Sequence, residues 1–134
     1  ELDGWATTSE GALALILLLD QFPRNCFRDT SRMFATDAKA VAVAEAALAA
    51  GHDRATPPEL RVFFYLPFEH AEDLALQERS VKLCEPLRDD YRHYAVLHRD
   101  IIARFGRFPH RNAVLGRQST AEELAFLADG GFAG

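Results

Sequence analysis

The stretch Asp90–Gly106, DYRHYAVLHRDIIARFG, carries Tyr91, Tyr94, Ala95, His98, Ile101, Ile102 and Phe105 at steps of three and four residues. That spacing lines up one face of an α-helix. Asp89 or Asp90 can cap its start, and Gly106 with Pro109 closes it. Glycine takes the left-handed stop, and proline has no N–H with which to continue.

Working outward, Glu69 to Leu87 again has helical spacing, with Leu74, Gln77, Val81 and Cys84 on one side. Ahead of it, Thr56-Pro57-Pro58-Glu59 combines a capping-box spacing with proline at the first helical position, so a helix starts there and Pro67 interrupts it. Asp37 can cap an alanine-rich helix that runs to about Ala50 and stops at Gly51. Thr8, Ser9 and Glu10 precede the helix formers Ala12 to Gln21, which Pro23 is expected to end. Thr120 and Glu123 form a second capping-box spacing before a short last helix closed by Gly130 and Gly131. The principal turns are expected at Phe22–Asn25, Gly51–Thr56 and Gly106–Gly116. No stretch alternates as a half-buried strand does, and the best strand candidate, Val62 to Leu66, sits directly behind a strong helix start. The reading is an all-α fold, one helical domain over residues 1–134, with short connections that favour an antiparallel helix-pair array.

With 134 residues, 49% hydrophobic and 26% charged, the chain has the length and composition of one globular domain. Its longest apolar run, Ala12 to Leu19, is too short to span a bilayer, which argues against a membrane role. A net charge of −5 argues against general nucleic-acid binding. The charge is unevenly spread: seven acids face three bases from Glu69 to Asp90, and six arginines face Asp100 alone from Tyr91 to Arg117. The plain reading is that these segments neutralise each other; the sharper one is an anion site. Of the fifteen cationic residues thirteen are arginine, whose planar fork suits carboxylates and phosphates. Cys26 and Cys84 show no metal or redox spacing, so two reduced thiols and a cytoplasmic setting are expected.

The candidate site comes from two sources. Phe22-Pro23-Arg24-Asn25 and Phe108-Pro109-His110-Arg111-Asn112 echo each other, and two Phe-Pro corners would project Arg24 and Arg111 toward one cleft. Phe as packing anchor and Pro as helix stop explain the same strings without a site. His70 falls on a helix side with Asp73, and His98 is enclosed by Tyr94, Ile101, Ile102 and Phe105. Each histidine alone reads as a hydrogen-bonded core residue. Together, Arg24, His70, Asp73, His98, His110 and Arg111 are expected to line one polar pocket for a small anionic ligand. In that pocket Asp73 would orient His70 or pair with an arginine, and His98 or His110 would be the base if the site is catalytic. Short-spaced metal ligands, a Walker loop, a dinucleotide fingerprint and a nucleophile elbow are all missing, so no metal and no cofactor is expected and catalytic residues stay unassigned.

Three long strings carry a resemblance: Leu17-Leu18-Leu19-Asp20-Gln21-Phe22-Pro23-Arg24-Asn25, Tyr65 to Leu74 with Gln77-Glu78-Arg79-Ser80, and His98 to Asn112. Through them the chain resembles the bacterial family called domain of unknown function 924, over nearly its whole length. The resemblance implies a tetratricopeptide-like helical superhelix, and a family pattern with a Trp- and Phe-rich segment ahead of residue 1. That fold type suggests a concave surface for peptides, so a peptide- or protein-binding module and a hydrolase-type enzyme using a His/Asp pair stand beside the small-ligand reading. A homo-oligomer also stays open.

Overall fold

Thr8 takes the Gly11 N–H on its hydroxyl at 3.0 Å, and α1 (Ser9–Ile16) starts from that cap. The computed structural model describes residues 2–134, and every regular element among them is helical. No helix among these residues is long and apolar enough to cross a membrane.

Pro23 does not end the first helix. The turn Leu17–Gln21 widens into a π-helix, and the chain continues as α2 (Phe22–Cys26) with Pro23 in its first turn. A proline there removes one backbone donor, and the wide turn loosens the ladder that donor would have joined. The carbonyls of Leu19, Asp20 and Gln21 are instead taken by side chains of Thr36, Arg24 and Asn25. The expected turn at Phe22–Asn25 is therefore helical. A side effect of the wide turn is that Asp20, at the end of an apolar run, faces the interior and is only 1% exposed.

Helix α3 (Asp37–Ala49) packs on α1 through Ala12, Ala44 and Ala47, whose small side chains leave room for Ile16, Phe64, Tyr65 and Phe68 in one core. Fully burying a side chain such as Phe64 or Phe68 contributes roughly 1.5–3 kcal/mol. Gly51 ends α3 at φ +76°, as expected. Asp37 is not the cap of α3 but its first residue, and its carboxylate is engaged elsewhere.

The middle of the chain is more broken than its periodicity suggests. Helix α4 (Pro58–Arg61) passes through a tight turn at Val62–Phe64 into α5 (Leu66–Glu69). Thr56 donates its hydroxyl to the His52 carbonyl instead of capping α4. The chain then leaves the helix, and α6 (Leu74–Cys84) begins anew with Asp73 as its N-cap. Helices α6 and α7 (Asp89–Phe105) form a helix pair joined across residues 85–88, and Gly106 closes α7 at φ +74°. Phe108 is extended and Pro109–Arg111 make a single tight turn. The last helix, α8 (Ala121–Ala128), has the full Thr120–Glu123 capping box. Ile101, Ile102 and Phe108 make a second core with Phe105, Phe126 and Phe132 around it.

Opposite charges do pair across the unevenly charged segments. Arg117 grips Glu72 with two bonds of 2.8 and 3.0 Å, and Glu72 also accepts the Phe108 N–H at 2.6 Å. Arg99 reaches Glu78 at 3.2 Å. Burial raises the Glu72 carboxyl, but Arg117, the Phe108 N–H and Arg111 outweigh it and leave the group below its ordinary value. Glu72 thereby locks the Phe108 corner to the segment that carries His70.

Cys26 is exposed, Cys84 is buried, and both are free thiols.

Candidate functional site

A cavity of about 470 Å³ opens where α2, α7, the Phe108 corner and the last residues of the chain meet. Its wall includes Arg24, His70, His98, His110 and Arg111. Five of the six residues expected from sequence thus share one cavity. The sixth, Asp73, does not: it is exposed, and its carboxylate accepts the Leu76 N–H at 3.0 Å as the cap of α6. The continuous periodicity of Glu69–Leu87 concealed the break that turns Asp73 away from His70.

Asp20 takes the place expected for Asp73. Its Oδ1 lies 2.7 Å from His70 Nδ1, and its Oδ2 accepts the Gln21 side-chain amide at 2.6 Å. Arg24 bonds the Asp20 carbonyl at 2.9 Å and approaches the carboxylate at 3.4 Å. Burial pushes the Asp20 carboxyl up, but His70, Arg24 and Gln21 together outweigh it and hold the group below its ordinary value. Asp20 is therefore ionised at neutral pH and can only accept hydrogen bonds, so His70 Nδ1 carries the hydrogen.

Arg24 forks onto Asp37 at 2.8 and 2.9 Å. That fork leaves Arg111 poorly matched. Arg111 is 6% exposed, donates to the His70 carbonyl at 2.8 Å, and finds its nearest carboxylate oxygen on the same Asp37 at 3.9 Å. Its Nε is buried with no partner. The guanidinium instead lies over the rings of Phe34 at 4.3 Å and Phe108 at 4.7 Å. Burial, then repulsion by Arg24, pulls Arg111 down to about 10, which still leaves it charged at neutral pH.

His98 donates Nδ1 to the Tyr94 carbonyl at 2.7 Å and packs against the rings of Phe132 and Phe108. His110 packs on Phe132 and Phe108, with a buried Nδ1 that has no partner. Burial lowers both rings to about 4, so they are neutral at pH 7. Glu69 stands behind the site, 3.7 Å from His98, and burial with the Asp20 charge holds it up to about 7. Gln77 spans the corner by donating to the carbonyls of Glu69 at 2.6 Å and Ala71 at 2.7 Å, which fixes the backbone on both sides of His70.

Sequence reasoning missed Asp20, Asp37, Phe34, Glu69 and Phe132. The spacing of Asp20 and Arg24 by four residues was a usable signal, but only for a helix that continues through Pro23. The two Phe-Pro strings do bring Arg24 and Arg111 to one cavity, yet one string is helix and the other an extended corner. Among the described residues, no group of three or more His, Cys, Asp or Glu side chains is placed to hold a metal ion.

No curated protein matches the chain. A solved structure of a protein of unknown function from Agrobacterium tumefaciens is similar to it, with 57% sequence identity and a TM-score of 0.94 over 96% of this chain and 73% of that one. The family model described as "Bacterial protein of unknown function (DUF924)" matches residues 1–131. That match over nearly the whole chain, with the shared fold, leads to one conclusion: the chain belongs to the DUF924 family of bacterial proteins.

Proposed function

We propose that the protein binds a small anion in the Arg24–His70–Arg111 cavity. The observation that carries this reading is Arg111, a buried cation whose nearest carboxylate is already forked onto Arg24. A buried charge without its own partner is costly, and an anion in the cavity would offset that cost. The cavity volume of about 470 Å³ falls within the roughly 300–1,000 Å³ usual for small-molecule sites. Met33, Phe34, Phe108, Val114 and Phe132 add an apolar wall, so an anion with an apolar body fits better than a bare ion. Convergence of these side chains on one cavity favours a small ligand over an extended peptide, which would need exposed contacts along several helices.

The test is the melting temperature in acetate, benzoate, phenylacetate and inorganic phosphate, with ionic strength matched by chloride. Saturation to about 100-fold above Kd stabilises by about 2.7 kcal/mol, a rise of several degrees for a domain this size. The rise should be largest for the aromatic carboxylates and absent in Arg111→Met. No rise with any probe, or an equal rise in Arg111→Met, overturns the proposal.

A further inference from the structure

We propose that His70, oriented by Asp20, is a catalytic base whose Nε2 takes a proton from a group bound in the cavity. This rests on the anion-binding reading, since Arg111 would hold the substrate's charged end. The geometry begins with the 2.7 Å contact between His70 Nδ1 and Asp20 Oδ1, which places a ring hydrogen on Nδ1, so that the neutral ring carries its lone pair on Nε2. Asp20 cannot swing away, because it is buried in the π-helical turn and its other oxygen is held by Gln21. His70 Nε2 has no hydrogen bond within the protein and is not sealed in the interior, and the ring lines the cavity.

His98 narrows what the cavity can hold. Its Nδ1 also faces an oxygen that can only accept, the Tyr94 carbonyl, so its Nε2 is a second acceptor, on a ring whose centroid is 6.3 Å from that of His70. Two acceptor nitrogens beside a cation repel the lone pairs of a bare anion. A ligand that satisfies all three carries an anionic group for Arg111 and an O–H or N–H, its own or that of a co-bound water, for the imidazoles.

In hydrolysis the donor is water. Its oxygen bonds to the carbonyl carbon of an ester as one O–H bond breaks, the hydrogen forms N–H at Nε2 and the C=O π pair moves onto the carbonyl oxygen. That pair then re-forms C=O as the bond from carbon to the leaving oxygen breaks with its electron pair, and Nε2 returns the hydrogen to the leaving oxygen. The Asp20 carboxylate faces the imidazolium while it exists; Asp20 is a positioning residue and touches no substrate.

The experiment uses bromoacetate and its neutral counterpart bromoacetamide, with the modified atom located by peptide mass mapping and amino-acid analysis in a Cys26→Ser background. The Nε2 lone pair of a histidine displaces bromide from either reagent. Bromoacetate should modify His70 at Nε2 at least about tenfold faster than bromoacetamide does, because Arg111 concentrates the anion. Nitrogen-15 NMR of wild type should show the neutral His70 ring with its hydrogen on Nδ1 and Nε2 bare. Asp20→Asn should slow alkylation by about tenfold or more and shift hydrogen toward Nε2, whereas Arg111→Met should abolish only the preference for the anionic reagent. Alkylation confined to Nδ1 or to the exposed His93, equal rates for the two reagents, or a neutral wild-type ring with its hydrogen on Nε2 overturns the assignment. The last result is read on wild type and needs no variant that must fold. If aromatic carboxylates still raise the melting temperature while His70 stays unreactive, the base falls and anion binding stands; if they do not, the failure lies in the binding reading.

Discussion

The Thr36 hydroxyl donates to the Leu19 carbonyl at 2.6 Å, across seventeen residues. In a regular helix that carbonyl would receive the N–H of residue 23, which as proline has none. Thr36 thus supplies the donor that Pro23 lacks and ties the π-helical turn to the start of α3. Thr36→Val keeps the shape and removes the hydrogen bond, leaving a half-buried carbonyl without a partner. It should cost about 1–3 kcal/mol in urea denaturation, whereas Thr36→Ser should cost much less. A loss in Thr36→Ser as large as or larger than that in Thr36→Val would contradict the dominant role given to the hydroxyl.

Asp73 and Asp20 make a contrasting pair. Asp73→Ala removes the α6 cap and should lower stability by about 1 kcal/mol, with the melting-temperature response to benzoate unchanged. A loss of that response in Asp73→Ala would restore Asp73 to the site and contradict the observed cap.

Glu69 predicts a pH dependence of stability. Burial first, and the Asp20 charge second, raise its carboxyl from the ordinary 4.5 to about 7 in the folded protein. Between those values the native state binds more protons than the unfolded chain, so this group contributes stability at low pH that is lost as pH rises through the window. Glu69→Gln stays neutral throughout. Its stability relative to wild type should therefore grow from pH 4.5 to 7 by on the order of a few kcal/mol and then level off. His98 and His110, lowered to about 4 by burial, act oppositely: their contribution is present above pH 6.5 and lost as pH falls toward 4. Measuring the difference between the two proteins at each pH subtracts the histidines. A flat difference would disprove the raised carboxyl.

The two thiols should react on different timescales. Cys26 is exposed and Cys84 buried, and burial with the nearby Glu69 pushes Cys84 up to about 12. Native protein should take up one equivalent of iodoacetamide, at Cys26, and a second only on unfolding. Two equivalents taken up at the same rate by native protein would contradict the packing of Cys84.

The helical class, the turns at Gly51 and Gly106 and the capping box of α8 follow from local chemistry. A left-handed glycine, a threonine cap and three-four periodicity each act within a few residues and are visible in the chain itself. The convergence of Arg24, His70, His98, His110 and Arg111 was also legible, because ionisable groups bordering apolar faces and the repeated Phe-Pro-containing strings stand out in sequence. Tertiary structure alone decided which carboxylate meets His70. Whether Pro23 ends a helix or is carried through a π-helical turn depends on the hydroxyl of Thr36 arriving from another element, and on Arg24 and Asn25 taking two further carbonyls. That choice rotates Asp20 into the interior. Likewise, the break before Asp73 is held by Gln77 folding back onto the Glu69 and Ala71 carbonyls, a contact that periodicity cannot encode because it spends an apolar-face position on backbone hydrogen bonds. Local propensity sets which elements form; where buried polar atoms must find partners, the answer comes from residues distant in the chain.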